Sequence, residues 1–297
     1  MTDLHPTCPA CGSTDYSKRF IIDTFPLLQC KRCSLELLHP QPSNEILGAI
    51  YNKEYQLAAN SELENSTLDG MKEMTARLYL ETLNKLDLPN NPKLLEIGCG
   101  WGHFIGEAAR TGYDAYGVEI SSHAARQAAS RLSPERIINS TIEDSGLQNN
   151  SFDLCVMIDV IEHVRAPQQF LSTVGQLLKP GGHLFIVTPS TNSLSAKLMG
   201  RYWMEYKTEH LYSFSKKSMA QLLIRNNYTA IQFKPAKKAL NFNFIRAYFE
   251  RFRVPGLTQI LSLIGKILPQ AMAFKQIVIP AGGMITIARK QVTQKDS

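Results

Sequence analysis

Short apolar runs alternate with helical stretches over most of this 297-residue chain. From residue 93 onward, seven runs predict strands: KLLEIGC, DAYGVEI, RIINST, FDLCVMID, GGHLFIVTP, TAIQFKP and GGMITIARK. Between them, apolar residues recur at helical spacing, as in GHFIGEAARTG and APQQFLSTVGQLLK. Strands that alternate with helices predict an α/β fold with a mostly parallel sheet covered by helices on both faces.

Two further helical patterns flank or interrupt this core. Residues 43–88 predict a helical linker or cap, with Asp69 as the N-cap of its second helix. Between the last two strands, about residues 239–280 form an insertion. Its apolar residues recur on one helical face: Leu257, Ile260, Leu261, Ile264, Ile267 and Leu268. This amphipathic pattern fits a membrane-surface element, and equally a dimer interface or a lid.

Four cysteines are spaced as two close pairs. Cys8 and Cys11, followed by Cys30 and Cys33, give C-x2-C-x18-C-x2-C. In a chain without a secretion signal this spacing predicts a Zn²⁺ ribbon over residues 1–42 rather than disulfides. Four thiolates leave no open position for catalysis, so the zinc is expected to be structural, with substrate or nucleic-acid contact as the alternative. The main domain is then expected over 89–297.

Composition and charge narrow the function classes. The chain is 44% hydrophobic and 20% charged, which excludes disordered and collagenous proteins. No apolar window reaches the roughly 20 residues of a membrane span, and no signal peptide is evident, so we expect a cytoplasmic protein. The net charge of +6 is uneven: −4 over 1–90, −3 over 91–196 and +13 over 197–297. An anionic partner or a solvated basic face would each account for the basic third.

A glycine-rich loop follows the first core strand. Three glycines give G-x-G-x-G: Gly98, Gly100 and Gly102. His103 stands where the dinucleotide fingerprint has its third glycine, which disfavours a nicotinamide dinucleotide. Glu119 closes the second strand, where a carboxylate accepts hydrogen bonds from ribose hydroxyls. The pattern predicts an adenosine-type ligand that needs no phosphate cradle.

Together these motifs resemble the class I S-adenosylmethionine-dependent methyltransferases. The resemblance covers about residues 70–297 and rests on LLEIGCGWG, GVEIS, NNSFDLCVMIDVIEHV and LLKPGGHLFIVTPS in the family's order. It implies a Rossmann-like seven-stranded sheet with an antiparallel last strand, and S-adenosylmethionine as cofactor. The cofactor-binding residues that it implies are Glu96, Gly98, Cys99, Gly100, Gly102, Glu119, Ile120, Thr141, Ile142, Glu143 and Ile158.

Within that set the resemblance assigns different parts of the cofactor. Glu96 and the glycines surround the methionine part, and Glu119 holds the ribose. Residues 141–143 lie near the adenine, although Thr141 replaces the usual Asp. Ile158 and Asp159 border the sulfonium end.

Acidic and histidine side chains follow the fourth strand. Asp159, Glu162 and His163 form D-x-x-E-H, which the spacing places on one face of a helical turn, and His210 follows in EHLYSFS. Similar E-x-x-E-H strings occur in ubiquinone-pathway O-methyltransferases and small-RNA 2′-O-methyltransferases, where they bind a divalent ion that activates the hydroxyl. Three hypotheses remain open: an acceptor-side divalent ion, His163 or His210 as a metal-free general base, and simple packing or capping.

Aromatic and basic residues precede His210. They are Arg201, Tyr202, Trp203, Tyr206 and Lys207. Such a mixture suits stacking on a ring or sugar and pairing with phosphate, so it predicts an acceptor pocket. Packing of these aromatic rings into the core is the alternative.

The sequence therefore predicts a methyltransferase that acts on a hydroxyl of a small or glycan-like, anionic acceptor, including sugar and lipid-linked molecules. Peripheral membrane contact is compatible with this, and the oligomeric state stays open. An RNA methyltransferase is the second hypothesis, although the ribbon's own region is net acidic. A non-catalytic cofactor-binding scaffold is the third. Zinc ribbons on this core also resemble sugar C-methyltransferases, whose chains are typically longer.

Overall fold

The computed structural model describes residues 6–50 and 62–292. The strands in these ranges are β1 (Tyr16–Ile22), β2 (Phe25–Cys30), β3 (Glu36–Leu38), β4 (Lys93–Ile97), β5 (Asp114–Val118), β6 (Ile137–Ile138), β7 (Phe152–Ile158), β8 (Leu178–Pro189), β9 (Tyr212–Ser213), β10 (Tyr228–Leu240) and β11 (Ile277–Lys290). The helices are α1 (44–50), α2 (Glu62–Leu83), α3 (His103–Arg110), α4 (Ser122–Arg131), α5 (Pro167–Leu177), α6 (Leu194–Met199), α7 (Lys216–Arg225), α8 (Phe242–Phe252), α9 (Leu257–Ile267) and α10 (Gln270–Ala273).

A seven-stranded sheet forms the centre of the described molecule, in the order β10-β11-β8-β7-β4-β5-β6. The strands from β4 to β8 run parallel, and β11 is antiparallel to both β8 and β10. The predicted α/β class, the mostly parallel sheet and the antiparallel last strand are confirmed. Strand order reverses at β4, which has β5 on one side and β7 on the other, and ligands bind in the crevice at such a point.

The two faces of the sheet are buried in two apolar clusters. Leu95 and Ile97 of β4 face one cluster, whereas Leu94 faces the other. Along β7, Cys155 and Met157 alternate in the same way with their neighbours. Burial on both faces explains why these strands are continuous apolar runs in the sequence.

The N-terminal ribbon shares its sheet and its core with the main domain. Its hairpin of β1 and β2 is extended by β3, and β3 pairs antiparallel with β9 of the main domain. The cluster that contains Cys30 also contains Met157 and Phe214. Across this junction the Tyr206 hydroxyl donates to the buried Glu36 carboxylate at 2.8 Å. The hairpin between the two cysteine pairs is therefore docked on the main domain.

The helices outside the core differ in part from the prediction. Asp69 lies inside α2, because that helix already begins at Glu62, so its predicted role as N-cap is wrong. Residues 51–61 of the predicted helical linker lie outside the described residues. Helices α8 to α10 occupy the predicted insertion between β10 and β11. No helix within the described ranges combines the length and apolar content of a membrane span.

Candidate active site

A cavity of about 670 Å³ opens at the carboxyl ends of β4 and β7. Helix α2, the glycine loop, the turn after β7, the segment 203–210 and helix α8 contribute its walls. Nine of the predicted cofactor-binding and catalytic residues line it: Glu96, Gly98, Cys99, Gly100, Ile158, Asp159, Glu162, His163 and His210. The fold thus brings part of the predicted cofactor-binding set and the predicted acceptor-side residues to one cavity, whereas Gly102 and Glu119 lie outside its lining.

The glycine loop depends on backbone conformations that side chains disfavour. Gly98 has φ +70°, and a Cβ there would lie 2.7 Å from Cγ2 of Val160. Gly100 has φ +53°, yet a Cβ there would meet no atom within 4 Å. Gly98 is therefore required by packing as well as by conformation, whereas the space beside Gly100 is open to a ligand.

Glu119 fixes the loop from the neighbouring strand. Its two carboxylate oxygens accept hydrogen bonds from the backbone N–H groups of Gly100 at 2.9 Å and Ser121 at 2.8 Å. A carboxylate has about four lone-pair positions, so two bonds leave acceptor capacity on the same group. The glycine loop and the end of β5 are held together by one side chain.

Glu96 is a buried acid at the cavity wall. Burial raises the pKa of its carboxyl well above the usual range. Its Oε2 atom has no hydrogen-bond partner among the described residues. A buried polar atom in this state is a candidate ligand contact.

Lys72 of α2 is a cavity residue that the sequence analysis missed. Its Nζ lies 5.6 Å from the ring centroid of Trp101, which stands between two loop glycines. Burial lowers the pKa of this amine. The only sequence signal is a lysine on a helix whose position over the loop depends on tertiary contacts.

A network of polar contacts attaches α2 to the start of α3 and the end of α4. Nε2 of His103 lies 2.6 Å from Oδ1 of Asp69, and Arg131 contacts Asp69 at 2.8 Å and Glu73 at 3.1 Å. Burial alone would raise the pKa of Asp69, but its bond to His103 and the charge of Arg131 hold it below the ordinary value. The residue in the third-glycine position therefore secures the helix that covers the site.

Glu162, His163 and His210 converge at the other end of the cavity. One possible ligand atom from each lies within 4.8 Å of the others. The Nδ1 atoms donate to backbone carbonyls: His163 to Glu209 at 3.0 Å and His210 to Glu205 at 2.8 Å. In each ring the acceptor nitrogen is then Nε2. The predicted helical turn is a 3-10 turn over Ile161–His163, and Asp159 lies before it.

Burial controls the ionisation of this cluster. It raises the pKa of Glu162 to about 8, with a contribution from the charge of Asp159. It lowers the pKa of both His163 and His210 to about 3, so both imidazoles are neutral at pH 7. The Thr188 hydroxyl donates to Glu162 Oε2 at 3.0 Å, while Oε1 has no partner in the part of the chain that the structure describes.

Asp159 borders that cluster and forms an ion pair with a lysine. Its carboxylate lies 2.9 Å from Nζ of Lys238 on β10, and its backbone has φ +53°. Burial would raise the pKa of Asp159, but the charge of Lys238 lowers it below the ordinary value. Lys238 was missed by the sequence analysis because it is 79 residues away in the chain.

The aromatic and basic residues of the predicted acceptor segment, 201–207, lie in different environments. Trp203 and Lys207 line the cavity, and Nζ of Lys207 lies 5.8 Å from the ring centroid of Tyr248 on α8. Tyr206 instead packs edge-on against Phe20 of the ribbon, with ring centroids 4.9 Å apart. Tyr202 is exposed. The acceptor-pocket hypothesis therefore applies to Trp203 and Lys207, and the packing hypothesis applies to Tyr206.

The predicted adenine contacts lie outside the cavity lining. Ile142 is buried, and the Thr141 hydroxyl donates to Asp144 at 2.9 Å. Ile120 is 73% exposed at the end of β5. A carboxylate is thus present three residues after the position where the family usually has Asp.

The four ribbon cysteines form a compact sulfur cluster. Their Sγ atoms lie within 4.8 Å of one another, with Cys8 to Cys33 and Cys11 to Cys30 each at 3.5 Å. Tetrahedral zinc with Zn–S bonds near 2.3 Å separates sulfurs by about 3.8 Å. The geometry of the cluster therefore fits one closed four-thiolate site.

Known proteins resemble this chain mainly in its core. The sequence profile of the family described as methyltransferase domain matches residues 71–232. The ubiquinone biosynthesis O-methyltransferase of Photorhabdus laumondii is 31% identical over 119 residues, 38% of this chain and 49% of that protein. The ubiquinone biosynthesis O-methyltransferase of Cereibacter sphaeroides is 32% identical over 133 residues, which is 42% of this chain and 53% of that protein. The chain thus spans about half the length of these curated relatives.

Solved structures share the fold. An S-adenosylmethionine-dependent methyltransferase of Thermotoga maritima superposes with a TM-score of 0.51 at 19% identity, covering 77% of this chain and 95% of that one. The YcgJ protein of Bacillus subtilis gives a TM-score of 0.51 at 16% identity, covering 74% and 99%. The family profile covers more than half of the chain. The chain therefore belongs to the methyltransferase domain family, and its fold is that of S-adenosylmethionine-dependent enzymes.

Proposed function

We propose that this protein transfers the methyl group of S-adenosylmethionine to a hydroxyl of a small, anionic acceptor. The observation that carries the proposal is the single cavity that joins the glycine loop to the cluster of Glu162, His163 and His210. The curated relatives named as O-methyltransferases support the choice of oxygen.

The cofactor would lie along the glycine loop. Glu119 would accept from the ribose hydroxyls with its remaining lone pairs, and the open space at Gly100 would admit the ligand. Glu96 would accept from the methionine ammonium, since its Oε2 is buried without a partner. Lys72 would pair with the methionine carboxylate, because its amine faces the loop. Cys99 and Gly102 would contact the cofactor through their backbone, since both belong to the loop that leads into α3.

The adenine would sit beyond β5 and β6. Ile120 offers an exposed apolar side chain, and residues 141–143 lie on the adjoining loop. Ile158 and Asp159 would border the sulfonium, since both line the cavity at the end of β7. Lys238 would keep Asp159 ionised beside that positive centre.

A divalent cation fits the acceptor-side cluster. The fit rests on the oxygen of Glu162 that has no partner among the described residues and on two neutral imidazoles whose Nδ1 atoms are oriented by backbone carbonyls. Glu162, His163 and His210 would hold the ion, whose chemistry is to lower the pKa of a bound hydroxyl. Asp159 would take no part, because Lys238 pairs with it.

The chain itself would align the reacting groups. In the transfer the acceptor oxygen forms a bond to the methyl carbon as the carbon–sulfur bond breaks, and the hydroxyl proton is released. Trp203 and Tyr248 would hold an apolar or ring portion of the acceptor, and Lys207 its anionic group. If no ion is used, Nε2 of His163 or His210 would accept the proton.

The ribbon cysteines would bind Zn²⁺ as a structural ion. The sulfur spacing supports this, and β3 links the ribbon to β9, which begins two residues after His210. Zinc would then stabilise the acceptor end of the cavity without touching the reactants.

The proposal is tested by a methyl-transfer assay with labelled S-adenosylmethionine and small-molecule extract, with or without chelator and added Mg²⁺ or Mn²⁺. We expect a labelled O-methyl product and loss of turnover on chelation of the acceptor-side ion. Turnover that resists chelation would assign proton removal to the histidines alone. Label incorporated only into RNA would instead favour an RNA methyltransferase. Absence of turnover with every extract would reject the proposal that the protein is an enzyme.

A further inference from the structure

Apolar side chains are exposed on two elements that also contribute residues to the cavity lining. On α6, Ser195 and Met199 line the cavity, whereas Leu194 and Leu198 are 71% and 77% exposed. On β11, residues 279–281 line the cavity, whereas residues 277–278, an Ile and a Val, are exposed. The outside of the cavity rim is therefore apolar on two separate elements.

Helix α9 carries further exposed apolar side chains. It packs against α8, since a Cβ on Gly265 would lie 3.4 Å from the ring of Phe242 and closer still to Arg246. No residue of α9 is buried. Five of its large apolar side chains are exposed: Leu257, Ile260, Leu263, Ile264 and Ile267. Met272 and Phe274 continue the exposed series. An exposed apolar surface of this kind marks an interaction site.

Basic residues are interspersed with these apolar residues along the chain. Residues 242–278 contain one acid, Glu250, and five basic residues: Arg246, Arg251, Arg253, Lys266 and Lys275. The last four of these basic residues are exposed. An anionic lipid surface matches both features, because apolar side chains enter the acyl boundary while cations contact the head groups. A second copy of the same face would instead bring like charges together.

We propose that these exposed residues form a membrane-docking face and that the acceptor is an amphiphile held in an anionic bilayer. The docking face comprises Leu194, Leu198, Leu257, Ile260, Leu263, Ile264, Ile267, Met272, Phe274, Ile277 and Val278. Helix α8 separates this face from the cavity, and its Phe244 and Tyr248 line the cavity side. The polar part of the acceptor would enter the cavity while its apolar part remains in the bilayer.

The identity of the acceptor rests on the proposed methyl transfer, but docking itself can be measured without it. The full chain is mixed with phosphatidylcholine vesicles, with or without about 30% phosphatidylglycerol, and sedimented. We expect association with the anionic vesicles and weakening by salt. Ile260→Glu/Leu263→Glu should reduce partitioning about tenfold or more, because two carboxylates would enter the apolar layer. Ile224→Glu, at an equally exposed residue of α7, should leave it unchanged.

Two results would overturn docking: no association of the wild type with anionic vesicles, or equal association of the double variant. Sedimentation equilibrium supplies a third, namely a dimer that Leu263→Glu dissociates, which would make the face a self-association surface. Calorimetry with S-adenosylhomocysteine on the same samples separates the two proposals. Cofactor binding without vesicle binding rejects only docking, whereas vesicle binding without cofactor binding rejects the proposed function.

Discussion

The two ends of the cavity are built from different parts of the chain. The cofactor end is mainly backbone: a loop of five residues in which Gly98 and Gly100 have positive φ, fixed by Glu119. The acceptor end is made of side chains from distant segments, including His163, His210 and Lys238. Backbone conformation requires glycine at a fixed spacing, whereas side chains meet only after folding. The cofactor end can therefore be predicted from the sequence, whereas the acceptor end is much harder to predict.

The ribbon supports one end more than the other. Its strand β3 pairs with β9, next to His210, and Glu36 accepts a hydrogen bond from Tyr206. The glycine loop has no such strand pairing with the ribbon among the described residues. Perturbing the ribbon should therefore affect turnover more than cofactor affinity.

Zinc loss should have the largest effect. Cys30→Ser should release the metal and lower the thermal midpoint by about 10 °C or more, because the ribbon shares its core with the main domain. Metal analysis and calorimetric melting measure both. Cys155→Ala is the control, since that buried cysteine lies outside the cluster and should retain the zinc. A fully stable, zinc-free wild type would contradict a structural ion.

Removal of His210 tests the acceptor end alone. His210→Ala should lower turnover by about 100-fold or more, whether the ring holds an ion or accepts a proton. The affinity for S-adenosylhomocysteine should stay within about threefold, because His210 is remote from the glycine loop in the proposed pose. Assay and calorimetry on the same preparation check this. Undiminished turnover would remove His210 from the mechanism.

The two glycines test the cofactor end by different routes. Gly98→Ala should destabilise the fold by about 2–3 kcal/mol, because left-handed strain adds to the contact with Val160. Gly100→Ala should cost about 1 kcal/mol of strain, yet weaken S-adenosylhomocysteine about tenfold or more, because its Cβ would fill ligand space. Denaturant unfolding and calorimetry distinguish the two. Full affinity in Gly100→Ala would place the cofactor elsewhere.

These contrasts explain what the sequence could provide. The apolar runs predicted the strands, because both faces of a parallel sheet are buried. The spacing of the cysteines predicted the sulfur cluster. Lys72 and Lys238 were missed, because their roles depend on how α2 and β10 pack. Asp69 was misassigned as an N-cap, because the sequence does not distinguish a carboxylate that caps a helix from one that forms a tertiary ion pair, as Asp69 does with Arg131.

Lys72 offers a finer test of the cofactor end. Lys72→Met should weaken S-adenosylhomocysteine about tenfold through loss of the charge pair with its carboxylate. Methylthioadenosine, which lacks that carboxylate, should bind wild type and variant equally. Lys85→Met, at an exposed position after α2, is the matched control. Equal weakening of both ligands would show that Lys72 acts on the loop and not on the carboxylate.

The smallest expected effect is the pH dependence of the network under α2. Burial would raise the pKa of Asp69, but its hydrogen bond to His103 and the charge of Arg131 lower that pKa below its ordinary value of 3.8. The folded state therefore gains stability at pH values above 3.8. That gain disappears as the pH falls through the lower folded-state pKa. The difference in free energy of unfolding between wild type and Asp69→Asn should be largest near neutral pH and vanish in acid. A difference that is constant with pH would contradict this.

The central claim concerns the ligand of the glycine loop. The most direct measurement is a calorimetric titration of the wild-type chain with S-adenosylhomocysteine, with NADH in a parallel titration. We expect one-to-one binding of S-adenosylhomocysteine at about micromolar affinity and no heat of binding from NADH. Absence of binding by S-adenosylhomocysteine, or saturable binding of NADH at this site, would contradict it.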